Sequence, residues 1–329
     1  MKKILKYSPR YYEPYLKGIT YLNLNASATC NFSCMKCMQS EAISVRSMRK
    51  PVDFVRLLDR ARDELAVKTL YLSGSGETFL VGQGDSQAML RNYKTLVKHV
   101  NKLGMDMIQF TNGYFLTKEM VDFLTEYRVS IVVSIDTLDE AKYGRLTGAG
   151  PGVFQRVIDN IQYARNRFPV THSDGTNSYR LGVNMAISRT CENDIEPISA
   201  FCSEDIIFFT NYPLVKGRFK DNINQMCLTE DEYDKFKQLC CETSAYKGLA
   251  GVTTDGVCGF LRYGLTVDFD GHILVCPYDV NSGQLFGYLS DYDSMQEVYD
   301  KVQKRLFGFT DHRDNALYCP LRHKEYYKF

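Results

Sequence analysis

Short apolar segments alternate with amphipathic ones from about residue 20 to residue 210, and this alternation constrains the fold more than any other feature of the chain. Val129–Ile135 is a near-continuous apolar run of strand length, as a strand buried on both faces of a parallel sheet requires. Strand patterns also fall at Thr20–Asn25, Thr69–Leu72, Met107–Thr111, Arg180–Ile187 and Ile206–Thr210. Helix patterns lie between them at Val52–Leu65 (led by Pro51), Ser86–Leu103, Lys118–Tyr127, Gly152–Arg167 and Asn193–Cys202. Strict β–α alternation predicts an α/β fold, a parallel sheet covered by helices. About six such steps suit either a doubly wound sheet or a partial barrel, and periodicity does not choose between them.

The pattern changes after about Cys227. A helix is expected over Asp231–Cys241, followed by a stretch rich in glycine. Leu265–Asp270 and His272–Cys276 flank Asp270–Gly271, and Asp-Gly between two such runs is a strong hairpin signal. A last helix is expected over Ser294–Arg305. The resulting division is an N-terminal extension (1–18), a core domain (19–226) and a smaller C-terminal domain (227–329).

The chain has 329 residues, 44% of them hydrophobic, enough for a large core. Its net charge of +1 gives no global field directed at nucleic acid or an anionic membrane. Lys6, Arg10 and Glu13 interrupt any signal-peptide core, and no run approaches the ~18 apolar residues of a membrane span. A cytoplasmic protein with no nucleic-acid or membrane partner is expected. Eleven cysteines in a reducing compartment read as metal binding or catalysis rather than disulfides.

Cys30, Cys34 and Cys37 fall in the loop after the first strand, in Cys-Asn-Phe-Ser-Cys-Met-Lys-Cys. Three thiolates on one loop can bind three corners of an iron–sulfur cubane and leave one iron open. Inert thiols, or a zinc site with a fourth ligand elsewhere, are the competing readings of the bare spacing.

A Cys-x3-Cys-x2-Cys loop after strand one of an alternating β/α chain resembles the radical S-adenosylmethionine (SAM) superfamily, over roughly residues 20–220. The resemblance implies a partial (β/α)6 TIM-like barrel and a [4Fe-4S] cluster with SAM at its open iron. Leu72-Ser-Gly74-Ser-Gly76-Glu77-Thr resembles the family's glycine-rich motif, which binds the SAM amino group. Asn112, in Thr111-Asn-Gly, closes the third strand as in many relatives. Ser134-Ile-Asp136 and the segment Asp139–Gly148 resemble the subgroup of molybdopterin-precursor cyclases and peptide-modifying enzymes, in which the Ser134 region contacts the SAM ribose. Asn184 and Arg189 would be ribose and carboxylate partners. Lys36 departs from the family, whose residue before the third cysteine is usually aromatic and packs near the adenine.

Cys258, Cys276 and Cys319, with the Asp270–Gly271 hairpin, resemble the auxiliary-cluster domain of SPASM/Twitch relatives. With three cysteines after residue 250, the shorter Twitch form fits, carrying a second, auxiliary [4Fe-4S] cluster. Arg322 stands where a fourth cysteine would be, so the fourth ligand is unassigned; a zinc site is the alternative. One of the remaining cysteines could serve as a hydrogen-atom donor, but none is assigned a catalytic role. The terminal Lys-Glu-Tyr-Tyr-Lys-Phe lacks the cyclases' Gly-Gly tail, and the few residues before the barrel hold no leader-binding domain. The resemblance thus implies reductive SAM cleavage to a 5′-deoxyadenosyl radical, which takes hydrogen from a C–H bond of a small metabolite or natural-product intermediate. The reductive cleavage of SAM would draw its electron from a reductant such as flavodoxin or ferredoxin. Modification of a ribosomal peptide, by epimerisation or by thioether or carbon–carbon cross-linking, is the alternative.

Overall fold

The computed structural model describes residues 2–4, 21–40, 43, 47–73, 76–173, 176–211, 213, 216–229, 231–232, 264–274 and 286–310. In chain order the elements are β1 (Lys2–Ile4), β2 (Tyr21–Leu24), α1 (Phe54–Leu65), β3 (Thr69–Leu72), α2 (Ser86–Lys102), β4 (Asp106–Thr111) and α3 (Lys118–Thr125). β5 (Val129–Ser134), α4 (Glu140–Thr147), α5 (Val153–Arg167), β6 (Thr171–Ser173), β7 (Thr176–Tyr179), β8 (Leu181–Ala186) and α6 (Ile195–Cys202) follow. The series closes with β9 (Ile207–Asn211), α7 (Gly217–Asp221), α8 (Ile223–Met226), β10 (Gly264–Val267), β11 (Ile273–Leu274) and α9 (Met295–Thr310). The fold is α/β, a parallel sheet with helices, as the alternation predicts.

Two compact units are interleaved in sequence. One holds Met1–Tyr7, Cys30–Glu41 and Ile108–Tyr246; the other holds Ser8–Thr29, Ala42–Met107 and Lys247–Phe329. In the first unit β5 pairs with β8, and β8 with β9, all parallel. Every residue of β8 is buried, and so is β5 up to Val133. That explains their unbroken apolar character, since both faces are covered. Met120, Val121 and Leu124 of α3 and Val157, Ile161 and Ala164 of α5 supply the helical side of this core. Each such aliphatic side chain contributes about 1.5–3 kcal/mol on burial. Arg180, also buried, donates to the carbonyls of Leu124, Thr125, Tyr127 and Val129, and so satisfies groups that α3 leaves open at its C-terminal end. A separate sheet of β1, β7 and β6 had no periodic signal in the sequence; β1 runs parallel to β7, within the stretch expected to be a bare extension.

In the second unit the strand order is β11-β10-β2-β3. Leu22 and Leu24, Leu70 and Leu72, and Leu265 and Val267 are buried apolar positions on three neighbouring parallel strands. Asp53 caps α1, its carboxylate accepting the amides of Val55 and Arg56 at 3.1 Å each, so the helix starts at Phe54 rather than at the expected Val52. Asp85 caps α2 in the same way through Ala88.

The expected hairpin is present as β10 and β11, antiparallel, with Gly271 in the left-handed region at φ +90°. Its first strand does not stand apart. It lies parallel beside β2 in register Gly264↔Tyr21 to Val267↔Leu24, so the hairpin extends the sheet. Asn25 donates to Asp268 at 2.9 Å, and Val52 donates to the Phe269 carbonyl at 2.8 Å, tying the hairpin to the segments around it. Cys258, Cys276, Cys319 and Gly74 lie outside the described residues, as does nearly all of the helix expected over Asp231–Cys241. Among the described residues no helix is long and apolar enough to cross a membrane.

Candidate active site

The loop carrying Cys30, Cys34 and Cys37 is held along its backbone. Ser33 and Met35 donate to the Thr147 and Leu146 carbonyls at 2.9 and 2.8 Å, so the loop runs along the C-terminal end of α4. Arg218 of α7 donates from Nε to the Cys34 carbonyl at 3.0 Å, and Asn222 reaches the Met35 carbonyl at 3.4 Å. Met35 also packs on Leu146, Phe219 and Met226. Gly217, at φ +52°, lets α7 approach closely: a Cβ there would fall 2.6 Å from the Cys37 carbonyl oxygen. These grips set three thiols on a fixed frame, which matters because a ligand loop that needs no ordering loses less entropy on binding.

The sulfur of Cys30 receives the Phe32 amide at 3.5 Å, and the Asn112 amide lies 3.9 Å from it. Asn112 also donates to Asn31 at 2.8 Å and accepts the Tyr114 amide at 3.0 Å. Asn160 of α5 donates to the Gly113 carbonyl at 2.9 Å, which steadies the turn after β4. Such N–H groups around sulfur are among the features that tune a thiolate-bound cluster. Among the described residues no three His, Cys, Asp or Glu side chains converge on a single metal ion. Three thiols on one loop, with amides directed at one sulfur, are the kind of donor set that thiolate-held iron–sulfur clusters use.

A cavity beside the loop is lined by Phe32, Cys34, Lys36, Asn112, Ser134, Asp136, Thr137, Tyr143, Leu146 and Thr147. The lining combines apolar and aromatic side chains with polar and charged ones. Lys36 is ion-paired with Asp136, and both side chains are largely buried, 15% and 5% exposed. Asp136 also accepts the Ala186 amide at 3.0 Å. Burial opposes the Lys36 ammonium, but Asp136 outweighs it and holds the lysine above its ordinary pKa. Burial pushes the Cys34 thiol up to about 12, against the pull of Lys36, so a metal must displace a tightly held proton there. Thr137 and Lys142 both bind Asp194, fixing the segment that follows β5.

Ser134, the last residue of β5, is the register partner of Asn184, which lies two residues before the end of β8. Arg189 is not among the residues lining the cavity: it is exposed at the start of a 3₁₀ turn, and Glu232 takes its guanidinium at 3.0–3.2 Å. Hydrogen bonding to Glu232 raises its pKa further, so the expected carboxylate partner is already engaged. In the other unit Gly76 sits at φ +77° against the Thr29 carbonyl, and Glu77 donates its amide to that same carbonyl at 2.8 Å. The Glu77 side chain is buried, and its carboxylate accepts the Phe79 amide at 3.3 Å. The glycine-rich turn is therefore fastened to the residue that precedes Cys30.

Sequence reasoning missed Arg218, Asn222 and the pairing of Lys36 with Asp136. Lys36 was visible as a departure, and Asp136 stands two residues beyond Ser134; nothing in the pattern marked Arg218.

A family model for the radical SAM superfamily matches residues 24–177, the stretch that holds the cysteine loop, Glu77, Asn112 and Asp136. Over that stretch, somewhat under half of its length, the chain is similar to the radical SAM superfamily, whose members use a [4Fe-4S] cluster and SAM. The chain is 29% identical over 161 residues to the GTP 3′,8-cyclase of Campylobacter fetus subsp. fetus (strain 82-40), covering 47% of this chain and 45% of that protein. It is 23% identical over 322 residues to the molybdenum cofactor biosynthesis protein moc-5 of Caenorhabditis elegans, covering 91% of this chain and 50% of that protein. The chain thus spans about half the length of the curated relatives it matches. Among solved structures, Streptococcus suis SuiB bound to S-adenosylmethionine shares the fold at TM-score 0.64 and 18% identity, over 92% of this chain and 71% of that one. Native anSMEcpe with bound AdoMet does so at TM-score 0.56 and 15% identity, over 93% and 85%.

Proposed function

We propose that this chain is a radical SAM enzyme, which cleaves SAM reductively and uses the resulting 5′-deoxyadenosyl radical to take a hydrogen atom from a small, polar, nucleotide-like metabolite. The carrying observation is the cysteine loop itself: three thiols on a backbone gripped by Arg218, Asn222 and the end of α4, beside a cavity lined by aromatic, polar and charged side chains. Cys30, Cys34 and Cys37 would hold a [4Fe-4S] cluster, which supplies the electron that breaks the carbon–sulfur bond of SAM.

The chain's own residues do the positioning. Asn112 and the Phe32 amide donate toward the Cys30 sulfur. Ser134 and Asn184, register partners on neighbouring strands, carry donors and acceptors suited to ribose hydroxyls. Glu77, which follows Gly74 and Gly76 in the sequence, would receive the SAM ammonium. Phe32, Tyr143 and Leu146 add apolar surface to the cavity lining, which would help keep water from a reactive intermediate. Relatives named as GTP 3′,8-cyclases support a nucleotide-like substrate over a natural-product intermediate. Cys258, Cys276 and Cys319 would hold an auxiliary cluster, and a flavodoxin- or ferredoxin-type donor would reduce the first one.

The test is anaerobic turnover of reconstituted protein with SAM and a strong reductant, measuring 5′-deoxyadenosine with GTP, other nucleotides, amino sugars or short peptides added. Stimulation by a nucleotide supports the proposal. Stimulation by peptides alone would transfer it to peptide modification, and no 5′-deoxyadenosine under any condition would refute it.

A further inference from the structure

Lys36 stands immediately before the third cysteine and is the one charged side chain from the loop itself in the cavity wall. It does not extend to solvent, as an ordinary lysine on a loop does. Its ammonium is pinned by Asp136, whose other oxygen is fixed by the Ala186 amide, so the charge has a defined place beside Cys34. Burying an ion pair of this kind is a weak source of stability, because desolvation offsets most of the attraction. The pair is therefore better explained by what its field acts on. Cys34 lines the same cavity as the pair and Cys37 follows Lys36 in the chain, so the pair stands beside two of the three thiols that would hold the iron. The other charged side chain at the loop, Arg218, spends its guanidinium on the Cys34 carbonyl.

We propose that Lys36 and Asp136 are positioning residues that set the reduction potential of the cluster held by Cys30, Cys34 and Cys37: the ammonium favours the reduced cluster and the carboxylate opposes it. Reduction adds one electron from a low-potential one-electron donor and places one more negative charge on the cluster. A fixed cation in a poorly screened site stabilises that charge, and a fixed anion destabilises it. The pair's two halves therefore have opposite signs of effect. That is the property a merely structural strut between the loop and the end of β5 lacks. The inference rests on the cluster assignment of the proposed function.

The experiment is an EPR-monitored redox titration of anaerobically reconstituted full-length protein: wild type, Lys36→Met, Lys36→Arg and Asp136→Asn. The signal followed is the one that the Cys30/Cys34/Cys37→Ala variant lacks. At the potential that half-reduces the wild type, the reduced-to-oxidised ratio should fall at least about threefold in Lys36→Met and rise by a similar factor in Asp136→Asn. A tenfold change corresponds to about 59 mV for a one-electron couple. Lys36→Arg keeps the charge and should stay close to wild type. Shifts of the same sign in Lys36→Met and Asp136→Asn, no shift in either, or loss of the signal from both would overturn the inference. A wild type without any signal dependent on the three cysteines would instead refute the cluster assignment.

Discussion

Gly76→Ala and Gly104→Ala should differ sharply in cost, although both glycines have left-handed backbones, at φ +77° and φ +69°. An alanine in that region costs roughly 1–2 kcal/mol relative to glycine. It regains about 0.4–1 kcal/mol by stiffening the unfolded chain. At Gly104 nothing lies within 4 Å of the added carbon, so the net loss should be about 1 kcal/mol. At Gly76 the carbon would fall 2.3 Å from the Thr29 carbonyl oxygen and 2.9 Å from the Ser27 hydroxyl. The first neighbour is backbone, and its carbonyl accepts the Glu77 amide, so it cannot move without breaking that bond. Overpacking of this kind adds roughly 1–3 kcal/mol. The expected loss at Gly76 is therefore about 2–4 kcal/mol. Urea denaturation of the two variants and wild type, followed by far-UV circular dichroism, measures the difference. SAM affinity of the reconstituted proteins should fall in Gly76→Ala and hold in Gly104→Ala. Equal midpoints for the two variants would refute the close-approach argument.

Arg180→Met should destabilise the protein by about 3 kcal/mol or more, since four backbone carbonyls lose a charged donor; thermal denaturation of the variant measures it. Asp270 is held below its ordinary pKa: burial works against the carboxylate, but hydrogen bonding from His272 and the charges of His272 and Arg49 outweigh it. Its stabilisation is thus complete above the unfolded value of 3.8 and is lost as the pH falls through the lower folded value. Asp270→Asn should flatten that acid branch of a stability–pH profile while leaving its alkaline branch unchanged. Cys258→Ser or Cys276→Ser should remove iron while SAM cleavage partly survives, and full iron retention would eliminate the auxiliary cluster.

The sheet was legible in the sequence where burial imposes a local pattern. Val129–Ile135 and Arg180–Ile187 read as strands because both faces are covered, and the structure has β5 and β8 there. Asp270–Gly271 marked the hairpin because that turn needs a left-handed residue, and Gly271 is one. The placement of β10 beside β2 depends on pairing across more than two hundred residues, and no local period encodes it. β6 and β7 were hidden for the opposite reason: Thr171–Ser173 and Thr176–Tyr179 are short and polar and lack an apolar alternation. At the site, the cysteine spacing and the glycine-rich turn were legible because their chemistry needs fixed residue types. Arg218, 184 residues from the Cys34 it grips, carried no such signature. Arg189 shows the converse: its type and position at the end of a strand suited a carboxylate, and a neighbouring glutamate meets that need.

Iron and sulfide content with EPR of the reduced protein, compared between wild type and the Cys30/Cys34/Cys37→Ala variant, tests the central claim most directly. Wild type should bind about eight irons and the variant about four, as two thiolate-held cubanes require, and SAM should alter only the signal that the variant lacks. Equal iron in the two proteins, or a SAM-sensitive signal that survives loss of all three cysteines, would contradict the account.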